Sequence, residues 1–267
     1  MIARVLCILL MQFVPLAALS GEMSDEQTVE KTVEKTVEQF GYEVLGRKAQ
    51  SRENFVQGLE IHDGRLYLSS GRYGHSHLSQ YDFDTGQLLA RRNLHPSIFA
   101  EGVTRFKENL YQLTWRERLV LVYRFDGMVP LRTFQIPGQG WGITHNGEEL
   151  IYSDGSHRLH YMDPASGAIT RSVAVTEDGE ALPYLNELEW VENRVWANIW
   201  GDSRIVIIDP DSGQVTGNID LSGLLPDSER QEGTDVLNGI ARDPDNGAIW
   251  VTGKRWPWLY QIELLPR

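Results

Sequence analysis

The sequence predicts an all-β protein, a five-bladed β-propeller whose ring is closed by an N-terminal strand. Three observations predict it. From Tyr42 onward, short apolar runs alternate with turns and no sustained 3.6-residue periodicity is present. A pair of large apolar residues recurs as Leu66-Tyr67, Leu110-Tyr111, Leu150-Ile151, Val195-Trp196 and Ile249-Trp250, at intervals of 44, 40, 45 and 54 residues. Turn-forming residues precede every pair, from His62-Asp63-Gly64 to Asp243 through Gly247, and Asp, Asn and Gly there tolerate the backbone of a strand reversal. Each period holds four antiparallel strands in about 40–50 residues, the size of a propeller blade. The fifth period lacks an outer strand. Tyr42-Glu43-Val44-Leu45 is a strand without a partner, and pairing the two closes the ring and covers an edge.

Ahead of the repeats stand two segments without a core. In residues 1–20, Arg4 precedes an apolar stretch from Val5 to Val14, then Pro15 and small residues up to Ser20, the pattern of a secretory signal. We therefore expect an exported protein, periplasmic or extracellular, with no membrane association once the signal is cleaved. Residues 21–41 contain TVEKTVEKTVEQ, in which Glu30, Glu34 and Glu38 oppose one another at helical spacing, and they read as a low-complexity tether. The propeller occupies residues 42–267. Cys7, the single cysteine, lies in the signal, so disulfides and thiol catalysis are excluded from the mature chain. The net charge of −12 becomes −13 once Arg4 is removed, and with no basic cluster this argues against nucleic-acid binding. We expect a monomer.

The first strand of a blade lines the central channel. The leading residues of these strands, Gln57, Glu101, Trp141, Asn186 or Glu187, and Asn238, are therefore expected to converge on one mouth. The returning second strands add Ser69-Ser70, Thr114-Trp115, Ser153-Asp154, Asn198 with Trp200, and Thr252 with Lys254. Glycines after the leading residues let the inner strands crowd the axis. Carboxylates, carboxamides, indoles and one ammonium in a concave mouth suit a small polar ligand. No metal site is expected: His75 with His77, and His157 with His160, lack helical zinc spacing. G-x-S-x-G, phosphate-loop and dinucleotide signatures are absent.

These motifs resemble the plant and bacterial type of glutaminyl-peptide cyclotransferase. The resemblance runs through Phe55-Val56-Gln57-Gly58-Leu59, Ala100-Glu101-Gly102, Leu113-Thr114-Trp115 and Gly140-Trp141-Gly142-Ile143-Thr144. It continues through Ser153-Asp154-Gly155-Ser156, Leu185-Asn186-Glu187-Leu188-Glu189, Trp196-Ala197-Asn198-Ile199-Trp200, Asp235 to Ala241 and Val251 to Pro257. It implies a five-bladed propeller that converts N-terminal Gln of peptides or proteins to pyroglutamate without zinc. By that resemblance Glu101 is the proton-transfer acid. Gln57, Asn186 and Lys254 are the substrate-binding polar groups and Trp115, Trp141 and Trp200 the aromatic pocket; Phe55 and Glu187, beside them in the sequence, are expected to bind substrate as well. No cofactor is implied, and a structural cation in the channel stays open. Val56 and Leu68 depart from the family pattern, the second at a position expected on the pocket rim. Two other readings remain: a calcium-dependent propeller hydrolase of lactonase type, with Glu101, Asn186 and Asn238 as oxygen ligands, and a non-catalytic propeller that binds a partner.

Overall fold

A computed structural model describes residues 37–267. The signal expected over residues 1–20, and most of the segment read as a tether, lie outside the described residues. The first strand, β1 (Glu38–Ala49), is followed by β2 (Val56–His62), β3 (Arg65–Ser70), β4 (His77–Asp82) and β5 (Leu88–Asn93). The second repeat holds β6 (Ala100–Phe106), β7 (Asn109–Thr114), β8 (Leu119–Arg124) and β9 (Val129–Gln135). The third holds β10 (Ile143–His145), β11 (Leu150–Ser153), β12 (Arg158–Met162) and β13 (Ile169–Ala174), with a small ribbon of β14 (Thr176–Glu177) and β15 (Glu180–Ala181) after it. The fourth holds β16 (Leu185–Val191), β17 (Arg194–Ile199), β18 (Arg204–Ile208) and β19 (Val215–Asp220), and the last β20 (Leu237–Arg242), β21 (Ile249–Gly253) and β22 (Trp258–Pro266).

The first three repeats are separate four-stranded antiparallel meanders, and the last two share an eight-stranded sheet through β1. β1 runs antiparallel to β22 from Phe40–Pro266 to Ala49–Trp258, with a bulge at Val44 to Gly46. Its first residues, Glu38 to Phe40, run parallel to Gly217 to Ile219 of β19. The boundary of the tether at residue 41 is thereby corrected: Glu38 to Gly41 belong to the strand. Like-charge repulsion along a helix had no bearing on them, because the open edge of β19 pairs their backbone groups and Phe40 packs against the core beside Ile219.

Each meander runs from a buried first strand to an exposed fourth. β2 and β6 are buried almost throughout, because side chains on both faces meet neighbouring sheets, whereas β5 and β9 are mostly solvated. The contacts between first strands run from β2 to β6, β10, β16, β20 and back to β2. The core is correspondingly split between sheets. One cluster joins β11 and β12 to β16, β17 and β18, and another joins β2 and β3 to β20, β21 and β22. Several turns share one construction. Asp82, Asp163 and Asp209 accept the backbone N–H of Thr85, Ser166 and Ser212 at 2.8, 2.7 and 3.0 Å, an Asx-type closure.

Glycine fixes the centre. A Cβ at Gly58 would lie 2.8 Å from Gly102 Cα, one at Gly102 2.9 Å from Gly142 Cα, and one at Gly142 2.7 Å from Glu187 Cα. Equivalent positions of successive first strands therefore stand at one level of the axis, so the residues one place earlier share one end of it.

Candidate active site

Gln57, Glu101 and Asn186 stand second in β2, β6 and β16 and are 3%, 5% and 2% exposed. Lys254, just past the end of β21, is 4% exposed and brings an ammonium to the same end. Its Nζ stands 5.2 Å from the centre of the Phe55 ring, a cation–π contact. Asn238 Nδ2 donates to the Val56 carbonyl at 3.0 Å and to Gln57 Oε1 at 3.3 Å, which orients the Gln57 carboxamide. Burial pushes the Glu101 carboxyl well above the usual carboxylate range; the Lys254 charge opposes this and Glu117 reinforces it. Burial likewise lowers the Lys254 ammonium, against the pull of Glu101 and Asp235. A buried carboxyl and a buried ammonium thus lie within electrostatic reach of each other.

A chain of aromatic side chains extends from Phe55, which lies against Lys254. Phe55 meets Phe99 edge to face at 6.3 Å, and Phe99 meets Trp115 at 5.4 Å. Trp115 Nε1 and Trp141 Nε1 both donate to Gln139 Oε1, at 2.6 and 3.0 Å. Trp141 then meets Trp200 edge to face at 6.4 Å. Glu117 anchors the other flank, accepting the Phe99 N–H at 3.2 Å and the Tyr73 hydroxyl at 3.0 Å.

Phe99, Gln139 and Glu117 were not singled out in the sequence, yet a signal exists for the first two. Phe55, Phe99, Gln139, Tyr184 and Val236 each stand two residues before a leading residue. The carbonyls of Phe55, Phe99, Tyr184 and Val236 accept the N–H of Gly71, Trp115, Trp200 and Lys254, which continue the second strands. One backbone ladder thus sets both circles of mouth residues.

Several residues expected at the mouth behave otherwise. Glu187 is a correction: it occupies the level at which Gly58, Gly102, Gly142 and Gly239 crowd the axis, below the leading residues. Its two carboxyl oxygens accept the N–H of Leu59 at 3.4 Å and of Ile240 at 2.8 Å, so it ties β16 to β2 and β20. Of the polar second-strand residues, Ser69, Ser153 and Asn198 serve as latches to the next first strand. Ser69 Oγ donates to the Glu101 carbonyl, Ser153 Oγ to the Asn186 carbonyl at 2.7 Å, and Asn198 Oδ1 accepts Gly239 N–H at 2.9 Å. Leu68 is not on the rim either; it is 1% exposed in the core together with Val56. Asp154 is occupied by His160, whose Nε2 lies 3.1 Å from its Oδ2. Burial would raise the Asp154 carboxyl, but hydrogen bonds from His160 and Ser156 prevail and hold it at about 2. Among the described residues, no three His, Cys, Asp or Glu side chains converge as a metal cluster.

Deeper along the axis, Glu60 accepts Thr104 Oγ1 at 3.2 Å and Arg105 N–H at 2.8 Å, and Glu189 accepts Arg242 N–H at 2.9 Å. Burial raises Glu60 from 4.5 to about 7 despite those bonds. A raised carboxyl favours the folded state while protonated, so its contribution is whole below about pH 4.5 and lost as pH climbs through about 7. Burial lowers His62, His77 and His145, which act in the opposite sense as pH falls through 6.5. The contribution of Glu60 is therefore read as a difference. Glu60→Gln keeps an acceptor for Thr104 and Arg105, and its Tm should fall less than that of the parent between about pH 4.5 and 7.

The fold is all-β and propeller-like. A WD40 β-propeller domain of Doa1 superimposes with a TM-score of 0.50 at 11% identity, over 78% of this chain and 63% of that one. The chain belongs to the glutamine cyclotransferase family, whose model matches residues 14–264. A glutaminyl-peptide cyclotransferase of Arabidopsis thaliana is 38% identical over 229 residues, covering 83% of this chain and 71% of the relative. The crystal structure of Myxococcus xanthus glutaminyl cyclase superimposes with a TM-score of 0.82 at 32% identity, over 87% of this chain and all of that one.

Proposed function

We propose that this protein is a glutaminyl-peptide cyclotransferase. It would be a five-bladed propeller that turns the N-terminal Gln of peptides or proteins into pyroglutamate by acyl transfer to the substrate's own amine. The blade count is supported by the closed succession of first strands, with β1 as the outer strand of the last blade. The activity rests chiefly on Glu101, a buried carboxyl with a raised pKa within electrostatic reach of Lys254, in a chain of this family.

The substrate α-amine attacks the Cδ of its own side-chain carboxamide. The ring C–N bond forms, the bond from Cδ to the amide nitrogen breaks, and ammonia leaves. The Glu101 carboxylate takes the proton that the attacking nitrogen loses and returns it to the departing nitrogen, so the carboxyl ends as it began. A carboxyl raised toward the pKa of an α-amine, about 7.7–8, makes that exchange less uphill, and such proton transfer contributes about 10²–10⁴-fold. Lys254 donates to the carbonyl oxygen as it gains negative charge. Gln57 and Asn186 hold the polar ends of the substrate. The rings of Phe55, Trp115, Trp141 and Trp200 keep the flexible side chain folded near its attack geometry, which lowers the entropic part of the barrier.

The reading carries three further expectations: no cofactor in the reaction, a monomer, and export directed by residues 1–20. Incubation with Gln-Ala should release ammonia and lose one equivalent of it per product, and EDTA should leave that rate unchanged. Silence with Gln-Ala overturns the cyclase, and ammonia release that is lost on chelation overturns its independence of metal. A fall in Tm on chelation without loss of turnover would mark a structural cation in the channel.

A further inference from the structure

We propose that Tyr184, paired with Trp200, determines specificity for the residue that follows the N-terminal Gln and gives preference to a large apolar or aromatic side chain there. The inference rests on the cyclase reading and deepens it. Only the terminal residue enters the ring chemistry, so the remainder of a peptide must leave across the mouth. Tyr184 and Trp200 stand on that way out with 51% and 50% of their surfaces exposed. Their rings are 6.0 Å apart at 52°, and Trp200 leans edge-on against Trp141, so the pair continues the wall of the site outward.

The backbone indicates that this exposure is imposed. Tyr184 has φ +67°, a conformation uncommon for a bulky residue. Strain of that kind persists where the surroundings fix it, and it concentrates at binding sites. Two bonds fix it here: Tyr184 N–H donates to the Gly155 carbonyl at 3.0 Å, and its own carbonyl accepts Trp200 N–H at 2.9 Å. Gly155 is itself committed, because a Cβ there would overlap the Trp141 indole. The backbone that carries the ring is therefore pre-set, which lowers the ordering cost that a substrate meets. Across the mouth, Tyr73 is held by its hydroxyl to Glu117 and by its ring edge-on to Phe99, whereas Tyr184 leans only on Trp200 among the aromatic rings and is half exposed.

The test compares kcat/KM for Gln-Phe and Gln-Gly. The parent protein should favour Gln-Phe about three- to tenfold, the range of one added aromatic contact, with the difference in KM. Tyr184→Ala should bring the ratio to about one and leave Gln-Gly within about twofold, while Tyr184→Phe should keep the preference. If the alanine variant fails to fold, Tyr184→Gly, which accepts positive φ without strain, is measured instead. An unchanged ratio in a folded Ala or Gly variant, an equal loss on both peptides, or a parent indifferent to the second residue would overturn the inference. No ammonia from either peptide with the parent would instead remove the cyclase reading, and this inference with it.

Discussion

Glu101→Gln is expected to lower kcat by at least about a hundredfold while leaving the fold in place. The replacement is nearly isosteric. What Ser69 holds at this position is the Glu101 backbone carbonyl, which the variant retains. What disappears is the only step in which a proton moves between the two nitrogens of the substrate. A carboxamide neither takes up the ammonium proton at neutral pH nor returns it to the leaving group. KM should change little, because Gln57, Asn186, Lys254 and the indoles are untouched. The pH profile supplies a second reading. Burial raises Glu101 and Lys254 lowers it, so the acidic limb of kcat in the parent should lie above the ordinary range of a carboxyl and should vanish in the variant. Steady-state ammonia release against pH, with Tm as the control for folding, decides the matter. Turnover within about threefold of the parent would remove Glu101 from the mechanism.

How far such a site is legible in the sequence depends on whether its signal is local. The strands and turns were legible because each repeat carries its own pattern: an apolar pair, a polar reversal and, in most of them, an Asp positioned to close a turn. The leading residues were legible because one repeat register places Gln57, Glu101, Trp141, Asn186 and Asn238 together. Phe99, Gln139 and Tyr184 were not singled out, since they lie in segments that connect one meander to the next, where no hydrophobic alternation marks them. Their common offset from the leading residues was present in the sequence but gains meaning only once carbonyls two residues upstream are seen to accept from the second strands. Glu187 illustrates a harder limit. In β16 the register shifts between Leu185 and Leu188, so the consecutive residues Asn186 and Glu187 serve different levels of the axis. A one-residue irregularity of pairing is not written in residue types. The first residues of β1 were hidden for another reason: their partners on β19 are about 180 positions away, and no local preference outweighs an open edge of that length.

Gly142→Ala should be strongly destabilising, and Gly46→Ala nearly silent. Both add one methyl group to a strand region with no requirement for positive φ, so the contrast isolates space from backbone conformation. At Gly46, in the bulge of β1, the new Cβ would lie 3.6 Å from Gln261 Oε1, an ordinary contact with the end of a flexible side chain. At Gly142 it would overlap the Asn186 carbonyl oxygen and lie 2.7 Å from Glu187 Cα, both backbone atoms of the neighbouring first strand. Neither can yield alone. The Asn186 carbonyl is held by Ser153 Oγ, and Glu187 is tied through its carboxyl to Leu59 and Ile240. Relief requires β10 and β16 to separate, which breaks the succession of first strands at one junction. We expect a loss of at least about 3 kcal/mol, the upper part of the range for overpacking. Any folded fraction should also bind substrate poorly, because the strand pushed aside carries Asn186. Urea unfolding of both variants, together with KM for a Gln-peptide, checks the pair. A Gly142→Ala protein as stable as Gly46→Ala would mean that the first strands do not close on one another at this level, and the convergence of Gln57, Glu101 and Asn186 would lose its physical basis.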